Sequence, residues 1–70
     1  MAEKSLVNTL KVQRAKKNLT QEQLAELVQV TRKTINTVEN GIYIPSTYLA
    51  LKLAGVLGVT VEELFQIREA

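Results

Sequence analysis

The sequence predicts an all-α protein, a compact bundle of five short helices. Three observations carry this. Capping residues recur along the chain at Thr20, Thr31, Ser46 and Thr60, each followed by apolar residues at helical spacing. The breaks between these segments, at Asn18, Gln29, residues 41–45 and Gly58, are too short to hold other structure. The chain has 70 residues, 46% of them hydrophobic, and only Tyr43, Tyr48 and Phe65 are aromatic, so its core is aliphatic.

The first helix runs from about Thr9 to Lys17, with Asn8 as cap and basic residues in the last turn, where the helix dipole favours them. The second spans about Gln21 to Val28. Thr20 with Gln23 three residues later is a capping-box pair, and Leu24, Ala25, Leu27 and Val28 form its apolar face. The third spans about Arg32 to Asn40 behind the cap Thr31, with Ile35 and Val38 inward and Gly41 as the stop. Pro45-Ser46 opens the fourth, Thr47 to Leu57, whose stripe is Ala50, Leu53, Ala54 and Leu57. Gly58 closes it. Thr60 with Glu63 then opens a short fifth helix that ends at Leu64 or Phe65. At the two ends, Leu6-Val7 and Gln66-Ile67 either pair as two short strands or lie as frayed ends.

Composition prunes the chemistry. With no His and no Cys there is no Ser-His or Cys-His nucleophile pair, no thiolate metal site and no disulfide. A chain this short does not easily enclose a substrate pocket, so an enzyme is not expected. Glu63 is used by its cap and Glu62 by the helix dipole, which leaves no metal site there. No cofactor is implied. No apolar run approaches the roughly 20 residues of a membrane span, and Met1 opens no recognisable signal peptide. The expected setting is the cytoplasm. A chain of this size has a marginal core, so either that core suffices or a second copy completes it.

The net charge of +2 is unevenly spread. Residues 1–40 carry seven basic residues and four Glu, while residues 41–70 carry two basic and three acidic. A basic half fits nucleic acid, although a solvated charged face would account for it equally well.

Residues 20–41 read TQEQLAELVQVTRKTINTVENG. Two capped helices of about two turns each meet through the short turn Val28-Gln29-Val30. So short a connection forces a steep crossing, which is helix-turn-helix geometry. Leu24, Ala25, Leu27, Val30, Ile35 and Val38 are expected to face the bundle. The outer face of the second of these helices is then Arg32, Lys33, Thr34, Asn36 and Thr37. These are the side-chain types that meet base edges in a major groove: Arg or Lys at guanine, Asn at adenine, Thr at a thymine methyl. A plain solvated surface is the alternative. Such a surface would more often interleave Glu with Lys and use better helix formers than Thr31, Thr34, Asn36, Thr37 and Asn40.

In these motifs the chain resembles the lambda-repressor/Cro-type, or Xre, helix-turn-helix family. The matching stretches are LTQEQLAELV, TINTVENG, IPS and LALKLAGVLGVTVEELF, which together cover about residues 8–65. The resemblance implies one lambda-repressor-like DNA-binding domain over residues 1–70. It also implies that Arg32, Lys33, Asn36 and Thr37 face bases, that Gln21, Thr34 and Asn40 meet the DNA backbone, and that Arg14 pairs with Glu39 to tie the first helix to the third. The shortest family members dimerise through their C-terminal end. Lys17 and Tyr43 are further candidates for phosphate contact; a helix-end decoration and a packing role are their alternatives. The chain departs from the family at Gln29, where Gly is usual, at Gln13, where an apolar residue is common, and at Thr47, where Leu is common. If position 29 needs a positive φ, Gln there costs about 1 kcal/mol; if the turn differs, the third helix tilts.

One short helix reads only a few base pairs, and two copies on a two-fold axis would read a palindrome. Leu51, Val56, Val61, Phe65 and Ile67 exceed what the helix stripes need, so they are the expected dimer surface; the alternative is that they complete the core of the monomer. The expected function is a homodimeric transcriptional regulator, a repressor on a palindromic operator in double-stranded DNA. The alternative is an antitoxin-like module whose main partner is another protein.

Overall fold

The structure, a computed structural model, describes residues 4–69. Seven elements follow one another: β1 (Lys4–Asn8), α1 (Leu10–Lys16), α2 (Gln21–Val28), α3 (Arg32–Glu39), α4 (Thr47–Leu57), α5 (Val61–Leu64) and β2 (Phe65–Glu69). Five helices and two strands are thus present among the described residues, and the open question at Leu6-Val7 and Gln66-Ile67 resolves in favour of pairing. β1 and β2 run antiparallel with Leu6 opposite Ile67 and Asn8 opposite Phe65. In that register Leu6, Asn8, Phe65 and Ile67 share one face of the ribbon.

Helix boundaries follow local chemistry. The hydroxyl of Thr20 accepts from the Gln23 amide while the Gln23 side chain accepts from the Thr20 amide, and Thr60 and Glu63 repeat the reciprocal arrangement. Thr31 caps α3 through the Thr34 amide, and Ser46 caps α4 through the Leu49 amide. α1 begins one residue later than its sequence suggests, at Leu10. The Asn8 side chain still serves this end: its Oδ1 accepts from the Leu10 amide at 3.1 Å. Its Nδ2 donates to the Val38 carbonyl at 3.0 Å, which fastens the ribbon to the last turn of α3. α3 stops at Glu39 with Asn40 as cap, and Gly41 follows with φ of 73°.

The core gathers Leu10, Leu24, Ala25, Val28, Ile35, Val38, Leu49, Leu53, Ala54, Leu57 and Leu64, drawn from every helix. Truncating one of the fully buried leucines, such as Leu53, to Ala should cost about 2–5 kcal/mol. One expected core residue is not there. Leu27 is 54% exposed. At about 100° per residue, it lies roughly 100° from the centre of the stripe formed by Leu24, Ala25 and Val28, so it falls off the buried face. Leu49, absent from the expected α4 stripe, is buried beside Ala50. Val30 packs against the core from the turn.

Candidate nucleic-acid interface

α2 and α3 are joined by a turn whose geometry is set at Gln29. This residue is left-handed, with φ of 62° and ψ of 45°. Its amide donates to Glu26, and the Val30 amide donates back to the Ala25 carbonyl at 3.0 Å. The last carbonyls of α2 are satisfied, and the chain leaves sharply to start α3. The Gln29 side chain in turn accepts from Lys52 Nζ at 3.2 Å, and that ammonium lies 5.0 Å from the centre of the Tyr48 ring.

With Ile35 and Val38 buried, α3 turns Arg32, Lys33 and Asn36 to solvent and leaves Thr34 and Thr37 half-buried. The Thr34 hydroxyl lies 3.0 Å from that of Thr31, and the Thr37 hydroxyl donates to the Thr34 carbonyl at 2.9 Å. Both threonines therefore have their hydroxyls tied to the helix.

The acid of α3 is withdrawn from this face. Arg14 Nε donates to Glu39 Oε2 at 2.7 Å and Nη2 to Oε1 at 3.3 Å; the two side chains are only 15% and 3% exposed. Such a two-pronged pair fixes orientation as well as charge. Arg14 Nη1 also donates to the Leu19 carbonyl at 2.7 Å, so one guanidinium ties α1, the α1–α2 turn and α3 together. Gln21, half-buried in the first turn of α2, completes the network. Its Nε2 donates to Glu39 Oε1 at 3.0 Å and to Asn36 Oδ1 at 3.2 Å. Asn40 Nδ2 donates to the same Asn36 oxygen at 3.3 Å.

The structure thus brings together Arg32, Lys33, Thr34, Asn36 and Thr37, with Gln21 and Asn40 linked to Asn36. Tyr43 lies beside them: its amide and that of Ile42 donate to the Thr37 carbonyl at 3.2 and 2.9 Å. A shallow groove of about 350 Å³ runs between Thr31, Lys33, Thr34 and Thr37 on one side and Ile42 and Tyr43 on the other. Ile42 is the member of this surface that the sequence did not announce, and it is 76% exposed. Its signal is the apolar run Ile42-Tyr43-Ile44 directly after a helix stop, where no helical period claims it. Lys17 sits elsewhere, its ammonium beside Gly58 at the end of α4, where the helix dipole favours a cation.

Among the residues expected at a dimer surface, Leu51 and Ile67 are exposed and Val56 is at the margin of exposure. Val61 and Phe65 are partly buried and pack on the core. Leu51, Val61 and Phe65 line a groove of about 510 Å³ with Leu6, Pro45 and Ala50. Among the described residues no group of three or more His, Cys, Asp or Glu could hold a metal ion, and no helix is long and apolar enough to cross a membrane.

Two capped helices crossing through a tight turn, the second with a cationic and amide-rich outer face, define a helix-turn-helix protein. The chain belongs to the helix-turn-helix family, whose model matches residues 10–64. A similar sequence is an HTH-type transcriptional regulator of Methanocaldococcus jannaschii, itself uncharacterized. It is 50% identical over 58 residues, covering 83% of this chain and 88% of its own. The likewise uncharacterized HTH-type transcriptional regulator YgzD of Bacillus subtilis is 40% identical over 62 residues, 89% of this chain and 94% of its own. Among solved structures, a candidate DNA-binding protein from Bacteroides fragilis superposes with a TM-score of 0.79 at 30% identity, over 87% of this chain and 98% of that one. The clp gene regulator ClgR of Corynebacterium glutamicum superposes with a TM-score of 0.73 at 30% identity, over 77% of this chain and 57% of that one.

Proposed function

We propose that the protein is a homodimeric transcriptional repressor that reads a palindromic operator in double-stranded DNA. The observation that carries this reading is the charge layout of α3. Its one acid, Glu39, is 3% exposed and paired with Arg14, while Arg32, Lys33 and Asn36 are exposed. The helix therefore offers a groove two cations and a set of amide and hydroxyl groups, with no carboxylate to repel phosphates.

In this reading Arg32, Lys33, Asn36 and Thr37 meet base edges, while Gln21, Thr34, Asn40 and Tyr43 lie against the sugar-phosphate backbone and set the docking register. Two protomers meet through the apolar surface of Leu51, Val56, Val61, Phe65 and Ile67, and reading a palindrome requires this dimer to set two α3 helices in successive major grooves about 34 Å apart. Binding over a promoter would then exclude the polymerase. The names of the relatives, HTH-type transcriptional regulators, support the same assignment.

Capture of sheared genomic DNA on the purified protein tests the reading. Recovery of a few discrete sites, with transcripts of the adjoining genes rising when the gene for this protein is deleted, is the expected result. Recovery spread evenly along the genome would contradict it.

A further inference from the structure

A carboxylate only accepts hydrogen bonds, and this sets the sense of every bond downstream of Glu39. Glu39 is held by Arg14, so the Gln21 amide must turn its Nε2 group toward Oε1, at 3.0 Å. The second N–H of that same Nε2 points to Asn36, 3.2 Å away, and obliges Asn36 to turn its Oδ1 inward. Asn40 Nδ2 occupies the other lone pair of Asn36 Oδ1 at 3.3 Å. The Asn36 oxygen thus has two donors on it. Asn36 is exposed, and both bonds to its amide fall on Oδ1, which leaves Nδ2 without a partner among the described residues.

We infer that Asn36 reads bases as a hydrogen-bond donor only, and that Gln21 is the positioning residue that makes it so. This rests on the proposal that α3 lies in a major groove. An unconstrained Asn recognises adenine with both ends of its amide, the oxygen accepting from N6 and the nitrogen donating to N7. With the oxygen occupied, the accepting half is lost. What Asn36 can still meet are acceptors: O6 and N7 together on guanine, and a single one on thymine (O4) or adenine (N7), so guanine alone offers its N–H groups two bonds. The exocyclic amino groups of adenine and cytosine would face its N–H groups donor to donor. The ion pair between Arg14 and Glu39 thereby acts at a distance on specificity, through the Gln21 side chain, and the adenine expected opposite Asn36 from residue type alone is replaced by guanine.

The test is site selection from random double-stranded DNA with the full-length wild-type protein, Asn36→Ala and Gln21→Met, reading the base ratio at each position. Asn36→Ala identifies the position that Asn36 reads by flattening it. At that position the wild type should favour guanine over adenine by about tenfold. Gln21→Met should move the ratio about tenfold toward adenine, because Asn36 regains its acceptor. Any hold that Gln21 has on the DNA backbone is indifferent to sequence, so its removal weakens all sites alike and cancels in the ratio. A wild-type preference for adenine or cytosine there would overturn the inference, as would a ratio unmoved by Gln21→Met or a motif unchanged by Asn36→Ala; in these cases base reading by α3 stands. Failure of the wild type to enrich any motif would overturn base reading itself, and this inference with it.

Discussion

Gln29 and Gly58 close their helices with nearly the same left-handed backbone, φ of 62° and 70°. In both, the following amide bonds the carbonyl five residues back, Val30 to Ala25 at 3.0 Å and Val59 to Ala54 at 3.1 Å. Only one of the two residues is free of a Cβ. Glycine adopts this conformation without strain, whereas Gln carries a steric cost.

Gln29→Gly should therefore stabilise the protein by about 1 kcal/mol. The loss of the exposed bond from Lys52 offsets little of this, since such surface interactions contribute only tenths of a kcal/mol. Urea unfolding followed by circular dichroism checks the change. A destabilised variant would mean that the side chain of Gln29, and not the turn itself, is what α2 requires.

Arg14→Ala should destabilise by about 3 kcal/mol, because it leaves Glu39 enclosed without its cation and the Leu19 carbonyl without its donor. Replacing both partners, Arg14→Met with Glu39→Leu, should recover a large part of that loss. A double-mutant cycle by urea titration measures the coupling, and additive single effects would contradict the pairing as a determinant of stability.

Leu51→Glu should convert a dimer into a monomer. Leu51 is 58% exposed, so the substitution leaves the core intact, while a carboxylate in the proposed apolar contact would be desolvated without a partner. Sedimentation velocity at tens of micromolar reads the outcome, with circular dichroism confirming unchanged helix content. A wild type that sediments as a monomer, or a variant that sediments as a dimer, would contradict the proposed surface.

The legible parts of this protein were the local ones. Thr20 with Gln23, Ser46, and Thr60 with Glu63 mark helix starts through bonds spanning three residues, so their meaning survives without the rest of the fold. The departure at Gln29 was legible only through the resemblance, which expects Gly there; whether the turn is strained or differs was open in the sequence, and the φ of 62° answers it. Pairing of Leu6 with Ile67 joins the two ends of the chain, and nothing local distinguishes it from fraying. Leu27 misled because periodicity identifies an apolar stripe without fixing its edge. At the candidate site, residue types on α3 pointed to a groove-facing surface, but the sense of the bond from Gln21 to Asn36 depends on how closely α2 and α3 cross. That distance is a property of packing, and no spacing in the sequence encodes it.

The most direct test of base reading by α3 is selection of sites from random double-stranded DNA at two salt concentrations, for the wild type and for Arg32→Ala and Lys33→Ala. The account predicts one palindrome at both salts, with half-site centres about one helical turn apart. Each variant should flatten one position per half-site at a cost of about 1–3 kcal/mol. Binding that falls steeply with salt and enriches no motif would contradict it, because phosphate attraction alone would then account for the affinity.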